Sequence, residues 1–326
     1  MVTDKRPNET LSRRGFLGRC CKAGLLAAGT GLAGWWFHDS RGPSRTSGET
    51  AGLEVPDFSI PEIPPRMSVV RGADRKQTVR EAFKAIGGLE MFVKPGDRVL
   101  LKVNAAFASP ALLGATTHPD LVEEVARLCY QAGAARVMVT DNPINDPASC
   151  FQLTGIERAA RSAGADIILP REQLFAQVTV PAARLIRAWP VLYEPLGQID
   201  RLIGMAPVKD HHRSGASMSL KNWYGLLGGR RNIFHQDIHT IITELAMMVR
   251  PTLVILDGTV SMMTNGPTGG SLSDLKSTDT MIVSTDGVAA DTLGATLLDK
   301  QIQDLPYLAK AADAGLGTTD YRKLTV

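Results

Sequence analysis

Arg98-Val-Leu-Leu-Lys-Val103, a helical pattern from His118 onward, and Arg136-Val-Met-Val-Thr140 together decide the fold class. The two outer pieces are short, nearly continuous apolar runs, as expected of strands buried on both faces. Between them Pro119 stands in a first helical turn, and Leu121, Val122, Val125, Leu128, Cys129 and Ala132 recur at helical spacing until Gly133. The alternation continues with a helix over residues 156–163 and a strand over 166–169. A βαβαβ run with short connections predicts a parallel sheet covered by helices.

After a less readable stretch the pattern resumes. Arg201-Leu-Ile-Gly-Met-Ala206, Thr252-Leu-Val-Ile-Leu256 and Thr280-Met-Ile-Val-Ser284 read as strands, and residues 219–227, 238–249, 288–298 and 305–314 as helices. The expectation is an α/β domain over 67–326. Its mostly parallel sheet is flanked by helices, with two lobes and a cleft at the carboxyl ends of the strands.

Upstream, residues 38–66 carry Pro43, Pro56, Pro61, Pro64 and Pro65 with three glycines, a composition suited to an extended linker. Before that, Ser12-Arg13-Arg14-Gly15-Phe16-Leu17 precedes a weakly apolar run over 23–37. Paired arginines ahead of such a run predict a twin-arginine signal or anchor over 1–37. The implied partner is the twin-arginine export machinery. The implied location is the periplasm, or the outer face of the inner membrane if the segment stays as an anchor. Cargo of that route folds before export, often around a cofactor, so a metal or organic cofactor is expected.

Composition excludes one class. The formal charge is +3, but residues 1–50 hold eight Lys/Arg against four Asp/Glu, leaving 28 against 29 in the rest. A nucleic-acid binder keeps its positive charge on the folded part. Outside the first 37 residues only Cys129 and Cys150 remain, and the sequence has no Cys-x-x-Cys. An iron–sulfur cluster needs about four thiolates, which argues against one held by this chain. Cys129 falls on an apolar helix face; spacing leaves a Cys129–Cys150 disulfide open.

The polar residues collect where strands end. Lys102 and Asn104 close the first strand, Asp141 and Asn142 the second, and Lys209, His211 and His212 follow residue 206. Asp257 follows the strand ending at 256, and Asp286 the one ending at 284. Such positions converge on one rim of an open sheet, although an Asp there can also simply cap the next helix. Ser219-Leu-Lys221-Asn222-Trp-Tyr-Gly225 pairs a cation and an amide with a Gly-rich turn, a combination suited to an anion. His235 and His239 have the i,i+4 spacing of a metal-binding helix face. Asn265-Gly266-Pro267-Thr268-Gly269-Gly270 cannot be helical, and is a mobile or tightly turned loop.

Taken in order, these motifs resemble the domain-of-unknown-function 362 family. The pieces are Leu101-Lys102-Val103-Asn104, Lys209-x-His211, Ser219-Leu220-Lys221-Asn222 through Tyr224-Gly225, and His235. Asp257-Gly258, Gly266-Pro267-x-x-Gly270 and Asp286-Gly-Val-Ala-Ala-Asp291 complete them. One departure is Asp210, where the family's Lys-Thr-His would have Thr. The resemblance brings the company of redox modules but no established activity.

These readings converge on an exported enzyme for a small anionic ligand, with a redox step as first guess. Lys209, Lys221 and Asp257 are the expected catalytic groups. Lys102, Asn104, Asp141, Asn222, Gly266, Pro267, Gly270, Asp286 and Asp291 are the expected ligand-binding ones. His211 and His235 are the expected ligands of a transition metal, if one is bound. The alternative is a non-catalytic carrier of a ligand or cofactor for an exported redox partner.

Overall fold

The computed structural model describes residues 52–326 together with Arg14, Gly18 and residues 21–24, the last group helical. The hexamer read as a twin-arginine motif, apart from Arg14, and most of the apolar run behind it lie outside the described residues. Among the described residues no helix is long and apolar enough to cross a membrane.

Among the described residues ten strands form: β1 (Met67–Arg71), β2 (Arg98–Lys102), β3 (Arg136–Thr140), β4 (Asp166–Ile168), β5 (Phe175–Val178), β6 (Trp189–Leu192), β7 (Arg201–His211), β8 (Gly215–Ser217), β9 (Leu253–Met262) and β10 (Leu275–Ser284). Eight of them make one sheet in the order β1-β10-β9-β7-β2-β3-β4, with β8 added to β7. The pairs from β9 through β7, β2 and β3 to β4 are parallel, and β1, β10 and β8 join antiparallel. β5 and β6 form a separate antiparallel ribbon.

Side chains alternate across the sheet because Cβ atoms alternate along a strand. Val99, Leu101, Val137, Val139, Ile203, Met205, Leu253 and Ile255 enter one core, packed under α1 (Arg75–Ala85) and α2 (Pro119–Gln131) with α3 (Pro147–Leu153) and α4 (Ile156–Ser162). Leu100, Met138, Leu202, Ala206, Val254 and Leu256 enter the other. That second core is covered by α5 (Ser219–Asn222), α6 (Ile238–Met248), α7 (Gly287–Leu297) and α8 (Pro306–Asp313). The result is three layers, helix on sheet on helix.

Two expectations change. Residues 51–326 form one compact unit instead of two lobes. β7 and β9 run five and six residues past the apolar stretches that announce them, so Lys209, His211 and Asp257 lie within strands and not after them. Before Met67, residues 52–66 hold no helix or strand and are mostly exposed, with Phe58 buried and Leu53 and Asp57 bridging to Val178 and Arg250. Cys129 and Cys150 are both buried and unbonded, and burial pushes their thiols up to about 12 and about 11.

Candidate functional site

Strand order places the site. From β2 the chain winds one way to β3 and β4, while β7 and β9 lie on the other side of β2. That reversal is the switch point at which open α/β sheets bind ligands, beyond the strands' carboxyl ends. A cleft of about 990 Å³ opens there, lined by residues that follow β2 and β3, by the far end of β7, by α5, and by the 265–269 loop.

Lys102 lies at its floor with no solvent exposure. On the face that carries Leu100 toward the second core, its Nζ meets Asp141 Oδ1 at 2.7 Å and donates to Val103 O (2.6 Å) and Asn222 Oδ1 (3.2 Å). Burial pulls the Lys102 pKa down while Asp141 opposes it, so this pair is internally neutral. Asn222 is held by donating to Lys102 O and Met205 O, each at 3.2 Å. Asn104 Nδ2 reaches Asn222 Oδ1 at 3.3 Å, leaving Asn104 Oδ1 buried without a partner among the described residues.

Among the described residues the other cations of the cleft, Lys209, Lys221 and Arg231, have no carboxylate in ion-pair contact. Lys209 is buried, donates from Nζ to the carbonyls of Ala115 and Pro267, and lies 5.3 Å from the Phe107 ring centre. Arg231 donates to four carbonyls: Tyr224 (3.2 Å), Leu227 (3.0 Å), Asn142 (2.7 Å) and Pro143 (3.0 Å). Lys221 differs from both. Its Nζ stands 5.1 Å from the Tyr224 ring centre, and among the described residues no hydrogen bond or ion pair reaches it. Burial, with Lys221 nearby, brings Lys209 down to about 7; burial, with Arg231 nearby, brings Lys221 down to about 8.

Three imidazoles stack beside them. His211 lies 5.0 Å from His212 and 5.9 Å from His235, centre to centre. His211 Nδ1 accepts from the backbone N–H groups of Arg213 (3.2 Å) and Ser214 (3.3 Å), which assigns the proton of the neutral ring to Nε2. His235 is the converse. Its Nδ1 faces Asn232 O at 3.3 Å and Tyr224 Oη at 3.1 Å, and the Tyr224 hydroxyl proton goes to Arg231 O. Both neighbours therefore accept, Nδ1 carries the proton, and Nε2 keeps its lone pair. Burial and Lys221 lower both pKa values, so both rings are neutral near pH 7. The site thus holds one imidazole donor and one imidazole base.

Glycines admit this packing. A Cβ on Gly225 would lie 2.0 Å from Asp141 Oδ1 and 2.7 Å from Lys102 Nζ. One on Gly266 would fall 1.9 Å from Asp210 O. Asp210 does not enter the cleft: it pairs with Lys300 at 2.6 Å and accepts from Gly266 N at 3.2 Å. With Asp274 accepting from Asn265 Nδ2 (2.6 Å) and Thr264 Oγ1 (2.9 Å), it makes the 265–269 loop tightly turned.

Of the expected site residues, Asn104, Asp141, Lys209, His211, Lys221, Asn222, His235, Gly266 and Pro267 line this cleft, with Lys102 under them. Four do not. Asp257 lies mid-strand on the opposite face, paired with Arg75 Nε at 2.6 Å. Asp286 caps α7, accepting from Ala289 N and Thr318 N at 2.9 Å each. Asp291 holds the start of α5 by accepting from Ser219 N (2.8 Å), Ser219 Oγ (2.5 Å) and Leu220 N (3.1 Å), so it positions Lys221 from behind. Gly270 stands beyond the lining, which ends at Gly269.

The helix-face pairing expected of His235 and His239 does not form. His235 sits in a 3₁₀ segment and His239 in α6, where it stacks on Tyr307. Among the described residues no group of three or more His, Cys, Asp or Glu side chains is arranged to hold a metal ion. Arg231 and Phe107 are lining residues that sequence reasoning did not find, and Tyr224 entered only as part of a motif, without a role.

The domain of unknown function DUF362 matches residues 99–296, which cover the cleft and most of the sheet. This chain belongs to that family. The thylakoid-associated protein sll1697 of Synechocystis sp. is 25% identical over 250 residues, covering 74% of this chain and 75% of that protein. Among solved structures, the lactate racemase apoprotein of Thermoanaerobacterium thermosaccharolyticum has a TM-score of 0.38 at 11% identity, covering 72% of this chain and 57% of that one. A structural-genomics protein of Thermotoga maritima has a TM-score of 0.34 at 11% identity, covering 78% and 61%. The chain spans less than two thirds of the length of either solved structure.

Proposed function

We propose that the cleft binds a small organic anion and moves a proton on it, with His235 Nε2 taking and returning the proton and the neutral His211 Nε2–H donating a hydrogen bond to the negative charge that develops. The observation that carries the reading is Lys221, a buried cation facing the cleft with no counter-charge among the described residues. Burying an unpaired ammonium is costly unless an anion arrives to meet it. Lys209 and Arg231 add positive potential, while Asp141 is already matched by Lys102. In a partly desolvated cleft such cations stabilise negative charge that grows on a reacting ligand.

The N-terminal sequence adds export by the twin-arginine machinery and a periplasmic or membrane-anchored location to the proposal. A redox partner belongs to it on the same footing, through the export route and not through the cleft.

Small carboxylates such as pyruvate test the reading in deuterated buffer. Binding should weaken at least about tenfold in Lys221→Ala, the loss expected for one charge-assisted contact. Exchange of the ligand's acidic C–H protons, followed by proton NMR, should vanish in His235→Ala while binding persists. Binding with no exchange in the native protein would make it a carrier of the anion instead of an enzyme.

A further inference from the structure

A second hollow of about 690 Å³ adjoins the cationic cleft. The two share Asn142, Ile144, Tyr224, Arg231, Asn232 and His235 as a common wall. Beyond that wall the chemistry changes. Phe175, Pro190 and Pro143 face a strip of bare backbone at Gly228-Gly229, and the only added charge is Glu172 at the exposed rim.

This far wall is built by the β5–β6 ribbon. Gly228 N donates to Pro190 O at 2.8 Å, Trp189 Nε1 donates to Gly228 O at 3.2 Å, and Val191 bridges to Leu227. Trp189 in turn packs on Phe234 with ring centres 4.4 Å apart. Gly228 is required for the fit, since a Cβ there would lie 2.7 Å from the Phe175 ring. The hollow is therefore pre-formed, with aromatic and proline walls and no side chain on one side.

We infer that the ligand is amphipathic: one anionic head against Lys221 and Lys209, and an uncharged, flat, aromatic-sized body in the second hollow. The inference rests on the proposed anion site and deepens it. Continuity of the two hollows joins head to body, and Ile144, 66% exposed although apolar, forms a lip between them. The acidic rim at Glu172 disfavours a second negative group at the far end. His235 lines both hollows, so it stands where head and body join, and the proton it would move is the one at that junction.

The test compares acetate, 4-phenylbutyrate and uncharged 4-phenylbutan-1-ol by titration calorimetry on the full chain. The inference predicts that 4-phenylbutyrate binds at least about tenfold tighter than acetate, as burial of a ring would give. It also predicts that the alcohol binds weakly. Phe175→Ala should remove that advantage and leave acetate unchanged. Because Phe175 also touches the core, Ile144→Ser provides a second variant on an exposed side chain that adds no charge beside the cationic cleft, expected to weaken 4-phenylbutyrate more than acetate. Equal affinity for acetate and 4-phenylbutyrate would overturn the second hollow while leaving the anion site standing. Binding of neither anion would overturn both.

Discussion

Gly225 faces the Lys102–Asp141 ion pair so closely that the hydrogen in place of a side chain is what lets the pair form. A Cβ at residue 225 would stand 2.0 Å from Asp141 Oδ1 and 2.7 Å from Lys102 Nζ, both on buried side chains. Gly225→Ala should therefore cost roughly 3–5 kcal/mol, the range for breaking a buried ion pair. Denaturant unfolding checks the value. A variant as stable as the parent would mean that the pair relaxes freely.

Arg231 ties the 142–143 turn to the 224–227 turn through four carbonyls. A lysine keeps the charge but cannot span that fork. Arg231→Lys should lose roughly 2–4 kcal/mol of stability, a few charge-assisted hydrogen bonds, and weaken anion binding more than the charge-conserving change alone implies. Thermal melts and ligand titration on the same preparation separate the two effects.

Lys209 sets a pH dependence. Burial holds its folded pKa near 7, against about 10.4 for an unperturbed lysine. Between those values the unfolded chain holds a proton that the folded chain lacks, so this group makes stability rise with pH from about 7 to about 10.4 and adds no slope below. Lys209→Met should flatten that contribution. The check is the difference between native and variant unfolding curves at pH 7 and pH 9.5.

Much of this arrangement is legible in the sequence, and the failures have physical causes. Apolar runs reveal β2, β3 and the start of β7, and with them Lys102, Asn104 and Asp141 at the switch point. The far halves of β7 and β9 are hidden because Lys209, His211, Asp257 and Thr259 interrupt the apolar pattern, although all four are buried. Asp257 is thereby mistaken for a strand-end residue. His235 and His239 follow helical spacing, but a 3₁₀ segment turns about 120° per residue where an α-helix turns about 100°, so they diverge. The β5–β6 ribbon is short and contains Pro190, leaving no periodicity to read.

The proposed export has its own check. Replacing Arg13 and Arg14 together by lysine should leave the protein in the cytoplasm of a host with intact twin-arginine export, seen by cell fractionation. Unchanged periplasmic recovery would mean that the hexamer is not the signal.

The central claim, a buried cation awaiting an anion, is tested most directly by titrating a small carboxylate into the native protein and Lys221→Met at pH 6.5 and pH 9. Lys221 is held near pKa 8, and an anion should bind only when it is protonated. The account predicts affinity falling up to about tenfold per pH unit above that value, with proton uptake on binding at pH 9. In Lys221→Met both the affinity and this component of its pH dependence should be lost. Equal affinity in the two proteins, with no change between pH 6.5 and pH 9, would contradict it.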